Sequence, residues 1–164
     1  MAERVRRGSR QVLAGAADAL QCVAPVSTTE SHLDAISHNL AILATVYHYN
    51  HWIYDSIRDH LGNAVVEVGA GMGNISQFLL NAGRLVCVEP FPEYSAYLRQ
   101  RFERHLNVSV SEAAIEGCPN AEVPARTFDS VVCLNVLEHI ENDVGALAVM
   151  RDLLVAGGRV VVLV

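Results

Sequence analysis

The chain has 164 residues, 51 % of them hydrophobic and 18 % charged, a profile that excludes a disordered or fibrous protein and fits one globular core. Acidic residues outnumber basic ones, and the net charge of −6 argues against a nucleic-acid-binding surface. No apolar run reaches the length of a membrane span, so no membrane partner is expected and the cytoplasm is the default address.

Met1–Arg10 carries four arginines with no apolar signal core behind them and reads as a polar start. Arg4–Ala24 is a predicted helix through Val12, Leu13, Ala16, Ala17 and Leu20, ended by Pro25. From Ser31 the apolar positions Leu33, Ile36, Leu40, Leu43 and Tyr47 step by three and four, as an amphipathic helix requires. That helix, or a second one after a break near Asn50, continues through Trp52, Ile53, Ile57 and Leu61 to Gly62. Tyr47 and Trp52 sit at helical spacing and read equally well as plain core residues facing a sheet. His48, His51 and Asp55 share one helix face, but two histidines and one acid are an incomplete ligand set, so no metal is expected. Cys22, Cys87, Cys118 and Cys133 form no C-x-x-C pair and read as reduced thiols.

Ala64–Ser76 (A-V-V-E-V-G-A-G-M-G-N-I-S) organises the rest of the chain. The β-branched run at Ala64–Val68 suits a buried strand, interrupted only by Glu67. Gly69, Gly71 and Gly73 then alternate with Ala70 and Met72, and Asn74–Ala82 reads as a helix. Glycines let a ligand approach backbone amides that a Cβ would screen. Arg84–Glu89 is the second strand, which sets Glu89 twenty residues after Gly69, where an acid can accept from both ribose hydroxyls. These features point to a nucleoside-type ligand at the C-terminal edge of a parallel sheet. A dinucleotide fingerprint needs glycine or alanine where this chain has Asn74, and seldom an acid inside the strand.

With Glu67 before G-x-G-x-G and Glu89 ending the next strand, the stretch resembles the first motif of class I S-adenosylmethionine-dependent methyltransferases. Pro90 and Pro92 open a helix over Glu93–His105, and Asn107–Ser111 is the third strand. The family's adenine-contacting triplet falls on Ser111, Glu112 and Ala113, with Glu112 in place of the usual Asp. Gly117, Pro119 and Pro124 mark a loop up to Thr127. Phe128–Leu134 is the fourth strand, followed by Asn135-Val136-Leu137-Glu138-His139-Ile140, a V-L-E-H stretch similar to the post-strand motif of small-molecule methyltransferases. Asp143–Ala156 reads as a helix, Gly157-Gly158 as a turn and Arg159–Val164 as the fifth strand.

The resemblance implies an α/β fold: a Rossmann-like doubly wound parallel sheet, strand order 3-2-1-4-5, with N-terminal helices. Residues 1–60 would be a helical segment over the cofactor and substrate, and 61–164 the cofactor domain. The family's last two strands are not in this sequence. The expectation is therefore a truncated chain whose apolar strand Val160–Val164 invites self-association. S-adenosyl-L-methionine is the implied cofactor, held by Glu67, Gly69, Ala70, Gly71, Gly73, Asn74, Glu89, Pro90, Glu112, Ala113 and Asn135. The implied reaction is methyl transfer to a small-molecule acceptor, with His139 as the base an oxygen acceptor would need. His139 reads equally as a cap of the next helix or a partner of Glu138. Two other functions stand beside this one: a nucleotide-dependent oxidoreductase, and a methyltransferase-like binding domain without turnover.

Overall fold

The computed structural model describes residues 47–164, all within one compact unit. The predicted helix at 4–24 and the helical pattern from residue 31 to 46 lie outside the described residues, as does Cys22. Helix α1 (Tyr47–Ile57) leads through a 3-10 turn (Arg58–His60) into strand β1 (Ala64–Val68). Then follow β2 (Arg84–Val88), α2 (Pro92–Arg101), β3 (Val108–Ser111), β4 (Phe128–Leu134), α3 (Asp143–Leu153) and β5 (Leu154–Leu163). The strands form one parallel sheet in the order β3-β2-β1-β4-β5, as the motif order implies.

The period of two in the strand sequences builds the two faces of the sheet. Val66 and Val68, Val86 and Val88, and Val131 and Cys133 join Phe128, Met150 and Leu153 in one core cluster. Val65, Leu85, Cys87 and Val132 point the other way and pack with Ile53, Ile57, Leu98 and Phe102. Helices α1 and α2 thus cover one face and α3 covers the other. Glu67 lies between Val66 and Val68 and so shares the second face with Val65, which is why a buried carboxylate appears beneath the glycine turn.

Three sequence expectations change here. Helix α1 buries Asn50, Ile53 and Ile57, leaving Tyr47 exposed and Trp52 63 % exposed, so neither aromatic is a core residue facing the sheet. Tyr54 instead stacks on Phe78, ring centroids 5.6 Å apart. Asn74–Ala82 is not an α-helix; its one regular piece is a 3-10 turn at Ser76–Phe78. Side chains hold its carbonyls: Asn74 O accepts from Gln77 Nε2, and Leu80 O and Ala82 O accept from Asn107 Nδ2. Finally, β5 begins at Leu154, where a helix was expected. Leu154 pairs with Phe128 and Arg159 with Ser130, so residues 155–158 bulge opposite Asp129, with Gly157 at φ +83°.

Helix α3 starts on Asn142, whose Oδ1 accepts from Gly145 N at 3.0 Å. Asn142→Ala should cost about 1 kcal/mol, the usual worth of such a cap. A urea midpoint equal to that of wild type would show that this cap carries no stability.

Candidate functional site

The glycine turn leaves the C-terminal end of β1 with Gly69 (φ +70°), Gly71 (φ +54°) and Gly73 (φ +79°) all in the left-handed region. The turn is tied to the tip of β2, since Gly69 N donates to Val88 O at 2.8 Å and Ala70 N to the same oxygen at 3.3 Å. A Cβ at Gly69 would sit 2.4 Å from Val136 Cγ2, so this glycine also lets the segment after β4 pack on the turn. Packing therefore explains Gly69 and, beneath Leu98 and Phe102, Gly73. Gly71 is the position whose amide faces a carboxylate.

That carboxylate is Glu89, 3 % exposed at the end of β2. Its Oε2 accepts from Gly71 N at 2.8 Å and its Oε1 from Phe91 N at 3.1 Å. Ser95 Oγ, one turn into α2, donates to Glu89 O at 2.9 Å. Burial raises the Glu89 pKa above the ordinary carboxylate range, against the two backbone N–H groups that lower it. The structure thus brings together the two features that sequence spacing paired, the middle glycine and the acid at the second strand tip.

Glu67, inside β1, is held by a residue just beyond the glycine turn. Its Oε2 accepts from Ser76 Oγ at 2.5 Å, and Cys87 Sγ lies 3.6 Å from the same hydroxyl. Burial pushes the Glu67 pKa up to about 7, the nearby Glu89 adds to this, and the Ser76 hydroxyl and the Arg101 charge oppose it. Two acids whose charged forms are disfavoured therefore lie beside one glycine turn.

The remaining predicted residues are more dispersed. Glu112 is exposed and ion-paired to Arg99 on α2 at 3.2 Å, with Ala113 half-buried beside it and Pro90 exposed. Asn135 holds φ +54°, which asparagine tolerates, and its N–H donates to Leu163 O at 2.8 Å. His139 ends a 3-10 turn (Leu137–His139) with its ring exposed; the cap of the next helix is Asn142, so the capping reading fails. On α1, His51 Nδ1 and Asp55 form a pair at 3.0 Å.

Several residues at the site carried no sequence signal. Ser76 and Ser95 are fully buried polar anchors, and Arg101 Nη1 donates to Met72 O at 2.6 Å. Phe91 keeps an exposed ring directly after the Glu89–Pro90 step. An aromatic two residues beyond the strand-end acid was the one available cue.

A family model described as a methyltransferase domain matches residues 66–160. A tRNA U34 carboxymethyltransferase of Shewanella oneidensis is 31 % identical over 120 residues, covering 67 % of this chain and 35 % of that protein. An uncharacterised methyltransferase of Bacillus cytotoxicus is 30 % identical over 117 residues, covering 70 % of this chain and 52 % of that protein. The chain therefore spans a third to a half of the length of these curated relatives. Among solved structures, a SAM-dependent methyltransferase from Aquifex aeolicus aligns with a TM-score of 0.60 at 15 % identity. That alignment covers 69 % of this chain and 62 % of the other, and shows a shared fold.

Proposed function

The chain belongs to the methyltransferase domain family, and from that premise we propose that it binds S-adenosyl-L-methionine at the glycine turn and serves methyl transfer to a small-molecule acceptor. The observation that carries the reading is the Gly71 amide held 2.8 Å from the buried Glu89 carboxylate. Two backbone N–H groups occupy one lone pair on each Glu89 oxygen, which leaves acceptor capacity suited to a pair of adjacent ribose hydroxyls. The free acceptor capacity of Glu89 beside the glycine turn fits the cofactor's ribose. When bound, the cofactor supplies an activated methyl on a sulfonium centre.

The chain's residues have a limited task in this chemistry: to bind, to align and to exclude water. Glu89 would hold the ribose, the exposed Phe91 ring a face of the base, and Glu112 with Ala113 the base's polar edge. Asn135, on the segment packed against Gly69 through Val136, would meet the methionine end. Alignment of reacting groups can supply up to about 7–11 kcal/mol, so a rigid turn matters more here than a covalent participant. For an oxygen acceptor, His139 would take the proton, a role worth about 10²–10⁴-fold where it is used. The name of the Shewanella relative keeps a tRNA acceptor as a second reading, which the net charge of −6 disfavours.

Calorimetry with S-adenosylhomocysteine, with NAD as the competitor, tests this. Glu89→Ala should weaken S-adenosylhomocysteine binding by about 1.5–3 kcal/mol, the range for hydrogen bonds to a charged group. The loss should vanish for an analogue lacking both ribose hydroxyls. Binding of NAD without any response to S-adenosylhomocysteine would end the reading.

A further inference from the structure

We propose that Arg101 is a positioning residue, a strut that fixes the shape of the glycine turn from behind. Ser95, Leu98 and Phe102 recur at intervals of three and four along α2 and its first following residue, so they share one face, and Arg101, three residues after Leu98, lies at its edge. Every one of them meets a site element. Ser95 holds the backbone of Glu89, while Leu98 and Phe102 occupy the space that a side chain at Gly73 would need.

Arg101 completes the set with two hydrogen bonds that run to different parts of the turn. Nη1 donates to Met72 O at 2.6 Å, and Nη2 donates to Gln77 Oε1 at 3.0 Å. Gln77 in turn donates through Nε2 to Asn74 O at 2.7 Å. One guanidinium thus reaches the carbonyl of Met72 directly and that of Asn74 through the Gln77 side chain, on either side of Gly73. Met72 directly follows Gly71, whose N–H faces Glu89, so a shift at Met72 moves the amide that the site depends on. The fork geometry is specific to arginine: an ammonium can satisfy Met72 O but cannot present two parallel, planar donors. Hydrogen bonds from a charged donor are also about twice as strong as neutral ones. An arginine in the last turn of a helix reads by default as a solvated charge, whereas here it is half-buried with its guanidinium carbon 5.4 Å from the Phe102 ring centroid.

The consequence for cofactor affinity rests on the function proposed above; the effect on the turn does not. The test uses the whole chain with Arg101→Met, which keeps the apolar stem over Phe102, Arg101→Lys, and Gln77→Leu, which removes only the second bond. Hydrogen exchange without ligand should speed up about tenfold or more at the Gly71 and Gly73 amides in Arg101→Met, with the β1 amides unchanged, as for a local opening. S-adenosylhomocysteine affinity should fall about 10- to 100-fold, be partly recovered in Arg101→Lys, and fall less in Gln77→Leu. Unchanged exchange at the turn, or exchange rising equally in β1 and the turn, would overturn the proposal. A turn that loosens in Arg101→Met while wild type binds no S-adenosylhomocysteine would uphold the strut and sink the cofactor reading instead.

Discussion

Gly73→Ala should destabilise the chain by about 2–5 kcal/mol, whereas Gly157→Ala should cost about 1–2 kcal/mol. Both glycines are left-handed, at φ +79° and φ +83°, so both substitutions incur the same backbone penalty. They differ in what surrounds the new methyl. At Gly73 it would lie 2.8 Å from Phe102 Cε2 and 3.0 Å from Leu98 Cδ2, atoms of two buried side chains with nowhere to retreat. At Gly157, in the bulge of β5, nothing lies within 4 Å. The difference between the two variants therefore isolates overpacking, worth about 1–3 kcal/mol in a closed core. Against a total stability of about 5–15 kcal/mol, Gly73→Ala takes a large share. Urea denaturation of both variants at constant m checks this. Equal midpoints would mean that the α2 side chains yield to the turn, and would weaken the view of α2 as its rigid backing.

Local chemistry made most of the sheet legible. The bounds of β4, Phe128–Leu134, match the expected ones, and the run Ala64–Val68 does the same for β1, because short apolar runs with adjacent valines between turn residues suit a buried strand. The pairing of the glycine turn with Glu89 was legible as well, since a βαβ unit places those positions at neighbouring strand ends. What escaped was decided by side chains distant in sequence. The apolar spacing of Ile75, Leu79 and Leu80 is helical, yet Arg101 and Asn107 fix the chain at Met72, Leu80 and Ala82, on either side of the 3-10 turn. Glu67 stands out as an acid inside a strand, but its partner Ser76 is found only once the turn has brought the chain back over β1. Arg101 gave no sign of its role, because the carbonyl it serves is 29 residues away.

The acid inside β1 leads to the second large effect. Stability should decline as pH rises from about 5 to about 8, and Glu67→Gln should remove most of that decline. In the unfolded chain Glu67 titrates near its ordinary value of 4.5, and in the folded chain near 7, because burial disfavours the charge more than the Ser76 hydroxyl and Arg101 support it. Between those values the folded state holds a proton that the unfolded state has lost. Folding is therefore favoured fully below the lower value, and the advantage is lost as pH rises through the upper one. The amount is about 3 kcal/mol at 1.36 kcal/mol per pH unit. Glutamine keeps the shape and offers an oxygen to Ser76 Oγ without a charge to bury. The variant should match wild type at pH 5 and exceed it by about 2–3 kcal/mol at pH 8. Glu89, whose pKa is also raised by burial, titrates in both proteins, so the difference between the two curves reports Glu67 together with its coupling to Glu89. Parallel stability curves across this range would show that Glu67 stays charged throughout, with the Ser76 hydroxyl and the Arg101 guanidinium together outweighing its burial.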